Sequence, residues 1–121
     1  MEAYWNGLHG TWKILANSPD LVHKPSHMDA EIRNAQGEML DYAYHSAQGD
    51  CPFTVIIGHG VTANMNRPFV ETLAKGLAMA GIPTLRFSFS GNGDSEGRFE
   101  DSCVTKEVED LGAVIDAVKA K

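Results

Sequence analysis

The sequence predicts an α/β fold in which a β-hairpin is followed by a strand, a helix, a second strand and a second helix. Residues 53–57 are apolar on both faces, which is typical of a strand in a parallel sheet that helices cover on both sides. Segments 66–81 and 105–121 have apolar residues at helical spacing, and segment 84–89 has the pattern of a strand between them. We therefore expect helices on the faces of the sheet and a right-handed crossover between its two strands.

The chain divides into a predicted N-terminal arm, residues 1–27, and a single folded domain, residues 28–121. The arm contains both tryptophans, and its apolar residues fall at helical spacing. That spacing favours one short helix, although Gly7 and Gly10 lie inside it and weaken a helix. The residues concerned are Trp5, Leu8, Trp12 and Leu15.

Local signals place the other elements of the domain. Segment 30–44 is predicted to be the hairpin, because apolar stretches flank a turn at 34–37 that begins with asparagine and ends with glycine. The first helix is expected to take Asn66 as its N-cap, to have Pro68 in its first turn and to end before Gly81. The predicted apolar stripes are Phe69, Leu73 and Leu77 on this helix, and Val108, Leu111, Ile115 and Val118 on the last one.

Composition excludes several classes of protein. The 121 residues suffice for one domain, and a net charge of −6 argues against a nucleic-acid binder, which needs clustered cations. The longest apolar stretch, 53–58, is far shorter than the roughly 20 residues of a membrane-spanning helix. Two cysteines, Cys51 and Cys103, are too few for a disulfide scaffold, so a cytoplasmic protein is expected. We expect no cofactor, no metal, no nucleic acid and no membrane as partners.

The first candidate site is the segment Gly58-His59-Gly60-Val61, which follows the most apolar strand. Ligands of open α/β sheets gather at the carboxyl ends of strands, where a glycine-containing turn can present backbone N–H groups. Such donors suit a reaction that develops negative charge on a carbonyl oxygen. The structural alternative is a tight exit from the strand, in which glycine only relieves crowding.

The second candidate is segment 93–97, Gly-Asp-Ser-Glu-Gly, which matches the G-x-S-x-G pattern of a nucleophile elbow. An elbow places its serine directly between a strand and a helix, but here the strand ends near residue 89 and the helix begins near 105. No histidine follows Ser95 to act as its base. We therefore predict that Ser95 is not a nucleophile. The glycines at 91, 93 and 97 also resemble a dinucleotide-binding loop, but their spacing departs from that motif.

From about residue 28 to residue 121, the chain resembles the N-terminal part of an α/β-hydrolase of the serine esterase and aminopeptidase type. The resemblance is carried by segments 55–61, 66–69, 81–87 and 90–97. In that family the residue after His-Gly donates its backbone N–H to the oxyanion, and the resemblance gives this role to Val61. It also implies a substrate pocket formed by His59, Gly60, Gly91, Asn92 and Gly93.

The resemblance further implies that the family's nucleophile, acid and histidine come later than residue 121. The chain is then expected to be inactive alone, and to act on a small ester or amide only when completed. Strand 53–57 would have an unpaired edge, which predicts a homo-oligomer or a complementing C-terminal chain. The alternative is a non-catalytic α/β module that oligomerises through this edge or binds a small anion at 58–61.

Overall fold

The computed structural model describes the backbone of residues 2–7 and 10–15, together with residues 28 and 30–121. Its strands are β1 (Glu2–Gly7), β2 (Gly10–Leu15), β3 (Ile32–Arg33), β4 (Met39–Leu40), β5 (Tyr42–His45), β6 (Val55–Ile57) and β7 (Thr84–Phe87). The helices are α1 (Pro68–Met79) and α2 (Val104–Lys119), and a 3-10 turn (Phe99–Asp101) precedes α2. Among the described residues, no helix is long and apolar enough to cross a membrane.

The central sheet has the strand order β5-β7-β6, with β7 antiparallel to β5 and parallel to β6. Successive residues of β7 point to opposite faces. Leu85 and Phe87 pack into the core cluster with Val114 of α2, whereas Arg86 contacts the α1 side through Met65. One helix thus covers each face of the sheet, and the predicted α/β class is confirmed.

β6 lies at the edge of this sheet and, within the part of the chain that the structure describes, pairs only with β7. Val55, Ile56 and Ile57 are half-buried rather than fully buried. The prediction of a strand buried on both faces was therefore wrong in degree, because no described strand covers the outer side of β6. The expected unpaired edge is present among the described residues.

The predicted hairpin is confirmed for β3 and β4, which pair antiparallel around the turn after Asn34. The Asn34 side-chain oxygen accepts the N–H groups of Gln36 and Glu38, at 3.1 Å and 2.9 Å. The second strand does not continue unbroken to Tyr44, however. The N–H of Asp41 donates to Ser95 instead of to β3, and β5 leaves the hairpin to join the central sheet.

Within the described residues 2–7 and 10–15, the arm forms strands instead of the predicted helix. β1 and β2 form an antiparallel pair in which Trp5 lies opposite Trp12 and Gly7 opposite Gly10. Glycine costs about 1 kcal/mol relative to alanine in a helix interior, whereas aromatic residues favour strands. The competing strand preference outweighed the helical spacing. The boundary between an arm at 1–27 and a domain at 28–121 stays a prediction.

Helix α1 begins and ends much as the sequence indicates. Pro68 occupies the first turn as predicted, but the N-cap is Arg67 and not Asn66. At the other end, Gly81 has a φ of +89°. The N–H of Gly81 donates to Ala78 and that of Ile82 to Leu77, at 3.0 Å and 2.9 Å. These two bonds form a Schellman motif, which confirms Gly81 as the C′ residue.

The predicted apolar stripes coincide only in part with the buried faces of the helices: Val118 packs against the core, and Leu77 and Ile115 are half-buried. Phe69 and Leu73 are 67% and 49% exposed, while the buried residues of α1 are Val70, Ala74 and Ala78. On α2, Val108 is 63% exposed, and Asp110 and Val114 are the buried residues. Small side chains allow α1 to approach the sheet closely, which leaves its bulkiest apolar residues outside.

Candidate functional site

The segment after β6 closes a four-residue turn from Gly60 to Ala63. The N–H of Ala63 donates to the Gly60 carbonyl at 3.2 Å. Thr62, the third residue of the turn, has a φ of +59°, and it is the sole non-glycine residue with a positive φ in the described part of the chain. A positive φ at the third position alone defines a type II turn, which normally takes glycine or asparagine there. A β-branched residue in this conformation stores about 1–3 kcal/mol of strain.

The N–H of Val61 is available at the surface of this turn. No described residue accepts a hydrogen bond from it, and Val61 is 82% exposed. Strained backbone that the surroundings hold in place is common at functional sites, where it preorganises a group before the ligand arrives. The turn therefore presents one fixed backbone donor at the carboxyl end of β6.

His59 is bonded to the backbone through both ring nitrogens. Its Nδ1 lies 2.8 Å from the Gly60 carbonyl oxygen, and its Nε2 lies 3.0 Å from the Phe89 nitrogen. The imidazole also packs edge-to-face on the Phe89 ring, with the ring centroids 5.2 Å apart. With both nitrogens occupied, His59 has no free lone pair with which to act as a general base in this arrangement.

A cleft of about 420 Å³ opens beside the turn. It brings His59, Gly60 and Val61 together with Asn92. Its opposite wall comes from the segment that leads into α2. The residues of that wall are Phe99, Glu100, Ser102, Cys103, Val104 and Glu107.

Gly91 and Gly93 do not line this cleft. Both have positive φ, of +79° and +53°. A Cβ on Gly91 would lie 2.6 Å from the Arg98 carbonyl, and one on Gly93 would lie 2.9 Å from the Ser88 hydroxyl. These glycines allow the loop after β7 to fold tightly, and Asn92 between them is the residue that reaches the cleft.

Ser95 is held in the interior of the same loop. Its hydroxyl donates to the Ser88 carbonyl at 2.7 Å and accepts the Asp41 N–H at 2.8 Å. Gly97, the last residue of the G-x-S-x-G pattern, has a φ of +99°, and a Cβ there would collide with the Glu38 carboxylate. The three residues that make this motif therefore serve the folding of the loop, and Ser95 makes no described contact with an imidazole.

Solved structures similar to this chain are α/β-hydrolases and esterases. Ferulic-acid-bound Est1E from Butyrivibrio proteoclasticus is 28% identical over 74% of this chain and 36% of its own, with a TM-score of 0.66. An alpha-beta serine hydrolase homologue from Coxiella burnetii is 34% identical over 78% of this chain and 46% of its own, with a TM-score of 0.66. The Pyrococcus furiosus esterase Pf2001, at 23% identity and a TM-score of 0.64, shares the fold over 89% of this chain and 41% of its own.

The chain carries part of an α/β-hydrolase fold. The resemblance predicted from the sequence is thereby confirmed, and the similarity favours the hydrolase prediction over a non-catalytic module. The chain spans between 36% and 46% of the length of these neighbours. No family model matches the sequence, and the comparison with curated proteins finds no match.

Two groups of residues that shape the cleft and the core escaped the sequence analysis. The wall of the cleft formed by Cys103 and Glu107 depends on how α2 docks, and no local signal predicts that. Asp110 is fully buried and accepts bonds from Asn34 of the hairpin and from Ser90 of the loop. The sequence signal for the burial of Asp110 is its position four residues before the apolar Val114, which places both on one face of the helix.

No group of three or more His, Cys, Asp or Glu side chains within the described ranges could hold a metal ion.

Proposed function

We propose that this chain supplies the oxyanion-binding part of a hydrolase active site that acts on small carboxylic esters or amides. The N–H of Val61, which has no described acceptor, is the observation that carries the proposal. As a nucleophile adds to the substrate carbonyl, negative charge develops on the carbonyl oxygen, and this N–H would donate to it. A single donor of this kind contributes about 10²–10³-fold to kcat.

The attacking and proton-transferring groups would come from a complementing C-terminal segment. Support comes from the open edge of β6, which can accept a further strand, and from the apolar side chains left exposed on both helices. The latter are Phe69, Leu73, Val104, Val108 and Leu111. The fragment's share of its neighbours' length fits the same arrangement.

The cytoplasm remains the proposed compartment. Both cysteines, Cys51 and Cys103, are free thiols, as is usual in a reducing environment.

The proposal is tested by replacing Val61 in a completed enzyme. The full chain would be joined to the unmatched remainder of the Coxiella burnetii homologue, and hydrolysis of p-nitrophenyl acetate would be measured. Proline is favoured at the second position of a type II turn, so Val61→Pro removes the N–H while keeping the turn. Val61→Ala, which keeps the N–H, is the matched control.

We expect Val61→Pro to lower kcat about 10²–10³-fold and Val61→Ala to leave it nearly unchanged. Equal rates for the two variants would contradict the assignment of the donor. Sedimentation of the chain, alone and with the separate remainder, tests the partner. A heterodimer supports completion at β6, whereas a homodimer that ignores the remainder contradicts it.

A further inference from the structure

His59 contacts the peptide group that contains the Val61 N–H. We infer that His59 is the positioning residue of this donor, and that it works only as the uncharged imidazole with its proton on Nδ1. The role of Val61 as a donor is the proposed function, on which this inference rests.

The two hydrogen bonds of His59 define its protonation state. A carbonyl oxygen can only accept, so the Nδ1 that lies 2.8 Å from Gly60 O must carry the proton. A backbone N–H can only donate, so the Nε2 that lies 3.0 Å from the Phe89 nitrogen must be unprotonated. The neutral Nδ1–H tautomer is the single state that satisfies both contacts.

The bond to Gly60 orients the donor through the planarity of the peptide. The Gly60 carbonyl and the Val61 N–H belong to one peptide group, and in a trans peptide they point in opposite directions. His59 Nδ1 and the Ala63 N–H both hold the carbonyl oxygen, at 2.8 Å and 3.2 Å. With its oxygen engaged on one side, the peptide must present the Val61 N–H on the other.

The bond to Phe89 anchors this arrangement to the sheet. Phe89 lies two residues beyond the end of β7, and its ring packs on that of Phe87, which is fully buried. His59 thus connects a surface turn to β7, in which all four residues are buried. A turn that carries a strained Thr62 needs such an anchor to keep its geometry.

Protonation of Nε2 would break this anchor. An imidazolium ring has two donors and no acceptor, so its Nε2–H would face the Phe89 N–H. The titratable groups that share the cleft with His59 are the Glu100 and Glu107 carboxyls and the Cys103 thiol. The anchor to Phe89 therefore requires the uncharged ring.

Nuclear magnetic resonance of the uniformly ¹⁵N-labelled full chain tests the inference without any hydrolysis. Long-range ¹H–¹⁵N correlations report which ring nitrogen of His59 carries the proton, and we expect Nδ1 at neutral pH. A proton on Nε2 at neutral pH would overturn the inference.

Two substitutions separate the two bonds of His59. Asparagine places an N–H donor near the position of Nδ1, and glutamine places an acceptor oxygen near that of Nε2. We expect each substitution to change the residual dipolar coupling of the Val61 N–H, because His59→Asn removes the bond to Phe89 and His59→Gln removes the bond to Gly60. A coupling that stays at its wild-type value in either variant contradicts positioning by these two bonds.

Ser95→Ala is the matched control, because Ser95 also holds a loop by two side-chain bonds to backbone groups. Ser95→Ala should lower the stability of the fold and leave the dipolar coupling of the Val61 N–H unchanged. A changed coupling in this variant would show that destabilisation of the fold, and not the loss of the His59 bonds, alters the coupling. These readouts are independent of the Val61→Pro experiment. If Val61 is not the donor, the kcat of Val61→Pro shows it; if His59 does not position the donor, the dipolar couplings of the His59 variants show it.

Discussion

Replacement of Asp110 by asparagine tests the buried connection between α2, the hairpin and the loop after β7. Asp110 has no exposed surface, and its carboxylate accepts three hydrogen bonds. One comes from the Asn34 amide at 2.9 Å, and two come from the N–H and hydroxyl of Ser90 at 2.8 Å and 2.7 Å. Asparagine has nearly the same volume, so the substitution changes hydrogen bonding and charge without leaving a cavity.

The expected cost follows from the geometry of these donors. If the new amide keeps its oxygen towards Ser90, its nitrogen faces the Asn34 nitrogen, so that two donors oppose each other. Asn34 cannot turn its side chain over, because its oxygen already accepts from Gln36 and Glu38. An orphaned buried donor costs about 1–3 kcal/mol, and the two surviving bonds weaken once the carboxylate charge is gone. We expect Asp110→Asn to lower the free energy of unfolding by about 3 kcal/mol.

Urea unfolding of the full chain, followed by circular dichroism, measures this loss. The second variant Asn34→Asp restores an acceptor opposite the new amide, so the pair Asn34→Asp with Asp110→Asn should cost less than the sum of the single changes. Rescue will be partial, because Glu38 also accepts from the Asn34 amide, at 3.0 Å. A loss below about 0.5 kcal/mol for Asp110→Asn, the size of an ordinary surface change, would refute the reasoning, as would strict additivity of the pair.

Three further variants test other parts of the fold. Thr62→Gly should raise the free energy of unfolding by about 1 kcal/mol in the same urea assay, since glycine adopts a φ of +59° without strain. A lower free energy of unfolding in this variant would mean that the turn is not strained. Gly97→Ala should lower the melting temperature, because the new Cβ meets Glu38. The control Gly112→Ala should leave the melting temperature unchanged, because no atom crowds a Cβ at that position. The ion pair of Lys106 with Glu38, at 2.8 Å, lowers the pKa of Glu38 below its usual 4.5. The stabilisation from this pair is therefore present above pH 4.5 and is lost as the pH falls through the lowered pKa. At pH 7 the free energy of unfolding of Lys106→Met should be roughly 1 kcal/mol below that of the wild type, and this difference should shrink in acid. A difference that stays constant with pH would argue against the pair.

The order of the elements could be predicted from the sequence because it rests on local signals. Proline at position 68 and glycine at 81 mark the ends of α1 through backbone geometry that neighbouring residues determine. The turn with His59 and Val61 was equally predictable, since a glycine-containing segment after an apolar strand is a local pattern.

The buried faces of the helices could not be predicted in this way. Hydrophobicity ranks Phe69 and Val108 above Ala74 and Asp110, yet the last two are buried. Ala74 is buried because the sheet admits only a small side chain at close approach, and Asp110 because donors from two distant segments converge on it. The second wall of the cleft was unpredictable for the same reason, since Cys103 reaches it through tertiary packing.

In the described part of the chain the outer edge of β6 is unpaired, and the two partners proposed for it would compete. Two copies related by a two-fold axis would pair their β6 strands antiparallel, whereas a strand that continues the β7–β6 arrangement would run parallel to β6. Both unions use the same outward row of N–H and C=O groups, so one excludes the other. The rate of self-pairing rises with the square of the chain's concentration. A high concentration of the chain would therefore favour the homodimer over binding of the completing strand.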